Sequence, residues 1–245
     1  MGVGEHLFVA ISPHCRGIGR SAASTGRERN VPDAEAGCQL YAVIEGGHAA
    51  PERLAAAFGA ADIASVLIVP AAGRMLDAAT AAPLIELAQR RGAAALLAGD
   101  ARLARTLKAD GVHLANMPDI DQAYREARDV LGSGRVIGID AGISRHDAMT
   151  LAEAGADYVA FGAPAHLKDR DKARMRRNEL IAWWAEIFQL PCVAFDVETA
   201  EEARALAEYG TDFVAVALPT GQPAAAARDL VADIAAAMRA PQLAG

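Results

Sequence analysis

The sequence predicts an α/β fold: a single (β/α)8 TIM barrel over residues 38–245, preceded by a flexible N-terminal extension over residues 1–37. Three observations predict it. One pattern is written twice, since Ala152-Glu-Ala-Gly-Ala-Asp-Tyr-Val-Ala-Phe161 returns 55 positions later as Ala207-Glu-Tyr-Gly-Thr-Asp-Phe-Val-Ala-Val216, and Ala109-Asp-Gly-Val-His-Leu114 is a weaker copy upstream. Each copy closes an Ala-rich amphipathic helix, turns at a small or glycine-containing corner that suits a helix C-terminus, places an Asp and enters a buried strand. The second observation is that short apolar runs alternate with helical segments along the chain, the pattern of a parallel sheet covered by helices. The third is that 245 residues are enough for one large barrel without requiring a second domain. An open doubly wound sheet would show the same rhythm, because periodicity alone does not show closure.

The elements follow in order. Pro13 to Asp33 is rich in Gly, Ser and Arg and has no helical period, so the first 37 residues read as an extension. Gly17-Ile-Gly-Arg-Ser-Ala22 matches a loose dinucleotide fingerprint, but Pro32 and polar residues follow where a crossover helix would be required. The first strand is Cys38 to Ile44, and its helix runs from Pro51 to Phe58 with proline in the first turn. Ser65 to Val69, Ala93 to Leu97 and Gly111 to Leu114 are the next strands, with helices over 77–91, 101–108 and 119–131. Arg135 to Ile139 is the fifth strand, and its helix opens near Ser144. Asp157 to Phe161 is the sixth, with a helix expected only from about Asn178 to Phe188. Cys192 to Phe195 is the seventh, and Thr199-Ala-Glu-Glu202 reads as an N-cap with a capping-box glutamate. Phe213 to Val216 is the eighth strand, and the last helix spans Pro223 to Arg239.

Composition narrows the function classes. A net charge of -7 argues against nucleic-acid binding, which needs a clustered basic face. Cys15, Cys38 and Cys192 lack metal-ligand spacing and read as reduced thiols. Leu7 to Ile11 is too short for a signal or membrane segment, so no membrane association and a cytoplasmic location are expected. A homo-oligomer is left open.

Barrels of this kind place their chemistry on the loops after the strands. Those loops carry Glu45, Arg74, Asp100, Asn116, Asp140, His166 with Lys168, Asp196 with Glu198, and Thr220. Five carboxylates, Glu45, Asp100, Asp140, Asp196 and Glu198, are placed to face one mouth. Converging carboxylates call for a divalent metal or a cationic ligand, unless they cap helices or pair with Arg and Lys. Asp110, Asp157 and Asp212 precede strands and read as turn or cap residues. His113 reads as a packed core histidine, His146 as exposed, and His166 as the histidine best placed for proton transfer. Lys168 to Arg177 carries six basic residues against two acids and reads as a lid that recruits an anion, or as a solvated loop.

Leu40-Tyr-Ala-Val43, Leu96-Leu97 with Asp100, Gly111-Val-His-Leu114, Val136-Ile-Gly138, Ala154-Gly-Ala-Asp-Tyr-Val159 with Gly162, and Thr211 to Val216 together resemble the thiamine phosphate synthase/TenI family of (β/α)8 barrels. The resemblance covers residues 38–239. It implies thiamine biosynthesis: a transferase that joins a hydroxymethylpyrimidine diphosphate to a thiazole phosphate, with Mg2+ on the pyrophosphate and a small-molecule site at the barrel mouth. The resemblance implies Asp100 as the metal ligand and Lys168, in a shifted position, as a catalytic candidate, whereas placement on the strand-end loops adds His166 as a catalytic candidate and Arg74, Asn116, Asp140, Asp196, Glu198 and Thr220 as substrate-facing candidates.

Several family positions are replaced. The Gln, Arg and Lys cluster after the second strand is reduced to Arg74, and the Asn-Asp-Arg triplet after the third to Asp100. The Gly-Gln-Glu-Asp stretch after the fourth is shortened to Ala115-Asn116-Met-Pro118, and Asp140-Ala141 displaces a Ser-Thr pair. The Ile-Gly-Gly phosphate cradle becomes Phe195-Asp196-Val197-Glu198. Glycine-corner amides attract phosphate, whereas a carboxylate at ~4 Å and an effective dielectric of ~20 repels each unit charge by about 4 kcal/mol. The TenI tautomerase branch is not matched either, since its histidine would fall at Gly142. The expectation is a divergent member with a replaced phosphate site rather than a standard synthase. The alternatives are an active synthase with a rebuilt site, a non-catalytic binding or interaction protein, and an enzyme using an acidic metal or cation site.

Overall fold

The computed structural model describes residues 37–163 and 167–239. Eight parallel strands close in sequence order, β1 through β8 and back to β1, which excludes the open sheet. They are β1 (Gln39–Glu45), β2 (Ile63–Val69), β3 (Ala94–Ala98), β4 (Gly111–Leu114), β5 (Val136–Asp140), β6 (Tyr158–Phe161), β7 (Cys192–Ala194) and β8 (Phe213–Ala217). The helices that follow them are α1 (Ala50–Phe58), α2 (Ala78–Arg90), α3 (Ala101–Leu107), α4 (Ile120–Leu131), α5 (Arg145–Glu153), α6 (Arg170–Ile187), α7 (Ala200–Glu208) and α8 (Ala224–Arg239). Among the described residues no helix is long and apolar enough to cross a membrane. Most of the proposed extension, with its Gly17 to Ala22 fingerprint and Cys15, lies outside the described residues.

Alternation along the strands divides the core in two. Leu40, Ala42 and Ile44 of β1 face the helices, while Tyr41 joins Leu67, Leu96, Tyr158, Ala160, Val193 and Ala215 inside the barrel. Two glycines allow close approach at β4 and β5. A Cβ on Gly111 would lie 1.9 Å from the Val136 carbonyl oxygen, and one on Gly138 would lie 1.8 Å from the Tyr158 ring. The Tyr158 ring therefore leans across Gly138 toward β4. Its hydroxyl lies 2.9 Å from Nδ1 of His113 and 2.9 Å from the Tyr41 hydroxyl, so β4, β6 and β1 are linked through the interior. His113 stacks on Phe195, and burial lowers its pKa to about 4, as fits a packed core histidine.

At the rim below the strands, the three aspartates of the repeated pattern do more than cap or turn. Asp110 Oδ2 accepts from the Ala95 N–H at 2.9 Å, Asp157 Oδ2 from the Ile137 N–H at 2.8 Å, and Asp212 Oδ2 from the Cys192 N–H at 2.8 Å. Each aspartate, just ahead of β4, β6 or β8, thus holds the start of the preceding strand and satisfies a backbone donor at the sheet's end. The sequence motif recurs because the same inter-strand bond recurs.

The largest departure from the sequence reading is α6, which begins at Arg170 rather than near Asn178. Asp169 caps it, accepting from the Lys172 N–H at 3.0 Å. Its buried stripe is Ala173, Arg177, Leu180, Ile181 and Trp184, a helical period with an arginine in one apolar position. That arginine hides the period in the sequence. Residues 170–177 are therefore helix rather than a lid or a solvated loop. The capping box of α7 is also shifted. Thr199 accepts from the Glu202 N–H at 3.1 Å as expected, but the Glu202 carboxylate reaches back to the Glu198 N–H at 2.9 Å.

Candidate active site at the barrel mouth

The site is built most firmly where β6 and β7 end. The Phe195 N–H donates to the Phe161 carbonyl at 2.9 Å, as a parallel ladder requires. The next rung of that ladder would run from the Ala163 N–H to the Phe195 carbonyl. Instead the Ala163 N–H donates to Oδ2 of Asp196 at 2.8 Å, and the Phe195 carbonyl accepts from Arg177 at 2.8 Å. The last rung is thus split between two side chains. Asp196 reaches this position with φ at +58°, a left-handed conformation uncommon for a residue other than glycine. Gly162 leaves the room, since a Cβ there would stand 2.8 Å from the same Oδ2.

Arginines of α6 fix this arrangement from behind. Arg177 is fully buried and also donates to the Asp196 carbonyl at 3.2 Å and to Glu202. Arg170 bonds the Ala163 carbonyl and pairs with Glu198 at 2.7 Å, and Arg174 pairs with the other oxygen of Glu198. These bonds from Arg170 and Arg174 hold the Glu198 carboxyl below the usual range. A cavity of about 390 Å³ lies on this flank between α6 and the start of α7, lined by Arg174, Met175, Asn178 and Glu198 among others.

The other predicted residues are more loosely held. Asp140 Oδ1 accepts from the Gly142 N–H at 2.7 Å, and burial, aided by the Asp196 charge, raises its pKa to about 6 despite that bond. Asn116 donates to the Asp140 carbonyl at 3.3 Å. Asp100 caps α3 through Oδ1, which accepts from the Leu103 N–H at 2.8 Å, and no bond within the described residues takes its second oxygen. Thr220 and Glu45 meet at a long 3.5 Å. Arg74 and Lys168 are exposed and make no ion pair among the described residues. His166 lies outside the described residues, and His146 is exposed on α5 as expected. Among the described residues no three His, Cys, Asp or Glu side chains converge to hold a metal.

Sequence reasoning missed Arg177 and the Ala163 amide. The first had a signal, its place in the 3.6-residue stripe with Leu180, Ile181 and Trp184. The second had only Gly162, whose missing side chain leaves room for Asp196.

Comparison with known proteins agrees with the barrel and its segment order. A family profile described as thiamine monophosphate synthase matches residues 50–218. A thiamine-phosphate synthase from Rhodospirillum centenum is 37% identical over 206 residues, which cover 78% of this chain and 95% of that protein. One from Erythrobacter litoralis is 45% identical over 139 residues, 55% of this chain and 64% of that protein, so the match stops short of two thirds of its length. In structure, the thiamine phosphate pyrophosphorylase of Pyrococcus furiosus superposes with a TM-score of 0.62 at 19% identity, covering 81% of this chain and 95% of that one. A tryptophan synthase from Mycobacterium tuberculosis gives 0.64 at 14% identity, covering 84% and 94%, so likeness at this level reports the barrel alone. With a profile spanning more than half of the chain and a relative matched over nearly its whole length, the chain belongs to the thiamine monophosphate synthase family.

Proposed function

We propose that the chain is an active synthase of this family, which joins a pyrimidine diphosphate to a thiazole acceptor at the barrel mouth and releases pyrophosphate. The observation that carries this reading is the 37% identity extending over 95% of a thiamine-phosphate synthase. It favours a working enzyme with a rebuilt rim over one that has lost its chemistry. Release of pyrophosphate builds negative charge on the leaving oxygen, which nearby cations stabilise. Arg74 and Lys168 are exposed cations on the strand-end loops, and they are assigned that role.

Magnesium fits as an ion that arrives with the diphosphate. Mg2+ is usually held by one or two carboxylates together with substrate phosphates. Asp100 supplies one carboxylate oxygen not used by its helix cap. When bound, the ion would neutralise charge on the diphosphate. Asn116 and Asp140, on the loop after β4 and the end of β5, are held to one another by the Asn116 amide and are assigned to substrate binding.

A second reading, ligand binding without turnover, draws on Asp196, whose carboxylate occupies a backbone donor at the strand ends. Complementation of a thiamine auxotroph, paired with a pyrophosphate-release assay on purified protein, separates the two. Growth together with acceptor-dependent release is the expected result. No release with any thiazole acceptor, in protein that still binds the diphosphate, would leave the binding reading.

A further inference from the structure

We infer that Asp196 determines specificity by acting as a built-in anion: it fills the place where a phosphate on the acceptor would otherwise bind, so the preferred acceptor ends in a hydroxyl rather than a phosphate. This rests on the synthase reading above and names the substrate class of the same site.

The argument starts from the split rung. A backbone N–H that loses its ladder partner at the end of a parallel strand must find another acceptor. In barrels a phosphate site is frequently formed by the loops after the seventh and eighth strands, and Asp196 stands on the loop after β7, reaching across to the end of β6. Here the Ala163 donor is taken by Asp196 Oδ2 at 2.8 Å, and the Phe195 carbonyl is taken by Arg177. The residue that does this adopts φ of +58°, and Arg177 holds its carbonyl. Gly162 contributes by lacking a Cβ that would collide with the carboxylate. The neighbouring arginines do not supply replacement charge, because Arg170 and Arg174 are paired with Glu198. A phosphate brought to this corner would meet a fixed negative charge and an occupied donor, whereas a hydroxyl could donate to Asp196.

The test compares wild type, Asp196→Gly and Asp196→Asn. Glycine suits the left-handed backbone and removes the carboxylate, and asparagine tolerates that backbone and removes only the charge. Two acceptors are compared, the thiazole phosphate and the same thiazole as its free alcohol, together with calorimetry using inorganic phosphate. Wild type should favour the alcohol by at least ~10-fold in kcat/KM, and Asp196→Gly should shift that ratio by at least ~10-fold toward the phosphate. Inorganic phosphate should bind Asp196→Gly and not wild type, with Asp196→Asn between them. A wild-type preference for the phosphorylated acceptor, or a ratio unchanged in both variants, would overturn the inference while leaving the synthase reading intact. If neither acceptor reacts in any variant, the synthase reading fails. The phosphate titrations still decide the role of Asp196, and equal phosphate binding by all three proteins refutes it.

Discussion

After β6 and β7 the barrel rim is tied down by side chains, whereas after β2 and β4 it is left open. On the first side Arg170, Arg174 and Arg177 hold Ala163, Phe195, Asp196, Glu198 and Glu202, and few polar groups are idle. On the second, Arg74, Met75, Asn116 and Met117 are exposed, with Met75 88% accessible. The same strand-loop-helix unit thus serves two ends. Charges spent on one another give a fixed shape, and charges left unspent remain available to a ligand. From its charge the basic run reads as an anion-recruiting lid or a solvated loop, and its arginines are instead paired. Pairing, not the number of charges, decides what a rim can bind.

The largest expected effect breaks the tied side. Arg177→Met removes a fully buried guanidinium, leaves the Phe195 and Asp196 carbonyls without their donor and takes from Glu202 its buried ion-pair partner, so stability should fall by about 3–5 kcal/mol in urea unfolding. A loss below about 1 kcal/mol would mean that the arginines do not hold the rim.

Asp140, between the two sides, gives the next effect, and it depends on pH. Its folded-state pKa of about 6 lies above the ordinary aspartate value of 3.8, so its contribution is most favourable below pH 4 and is lost as pH rises through 6. At pH 7 Asp140→Asn should therefore be more stable than wild type, by on the order of 2 kcal/mol, with the difference closing by pH 4. His113 works in the opposite direction. Its depressed pKa makes its contribution full above pH 6.5 and lost as pH falls toward 4, so the variant-minus-wild-type difference is the proper readout.

Glu198→Gln tests the exposed part of the clasp. The glutamate is half-exposed, so its loss should change stability by no more than about 1 kcal/mol, and less in high salt. A larger cost would show that the outer pairs, and not Arg177, fix the loop. The smallest stability effect belongs to the open side. Arg74→Ala should lie within about 0.5 kcal/mol of wild type by thermal melting. It should nonetheless lower kcat/KM for pyrophosphate release by at least ~10-fold. Unchanged kinetics would remove Arg74 from the site and weaken the contrast between the two sides.

The sequence made some features readable because they are local. The repeated Ala-Glu-x-Gly-x-Asp corners, the apolar runs and the Thr199 cap each act within a few residues, so propensity and periodicity reveal them. The strand ends place Asp100 and Asp196 in their loops, and Asp140 at the last position of β5, by the same logic. Arg177 was obscured because its neighbours are charged and its buried stripe becomes visible only with the later apolar positions of α6.

By itself, then, the sequence determined the order of strands and helices and which loops carry the polar residues. Only the tertiary structure decided that the sheet closes, that Asp110, Asp157 and Asp212 hold neighbouring strands, and that Asp196 takes the Ala163 amide 33 residues away. The physical reason is that a hydrogen-bond partner between strands depends on register and on what a third element offers. Here α6 drew the Phe195 carbonyl to Arg177, and the free amide found the carboxylate beside it.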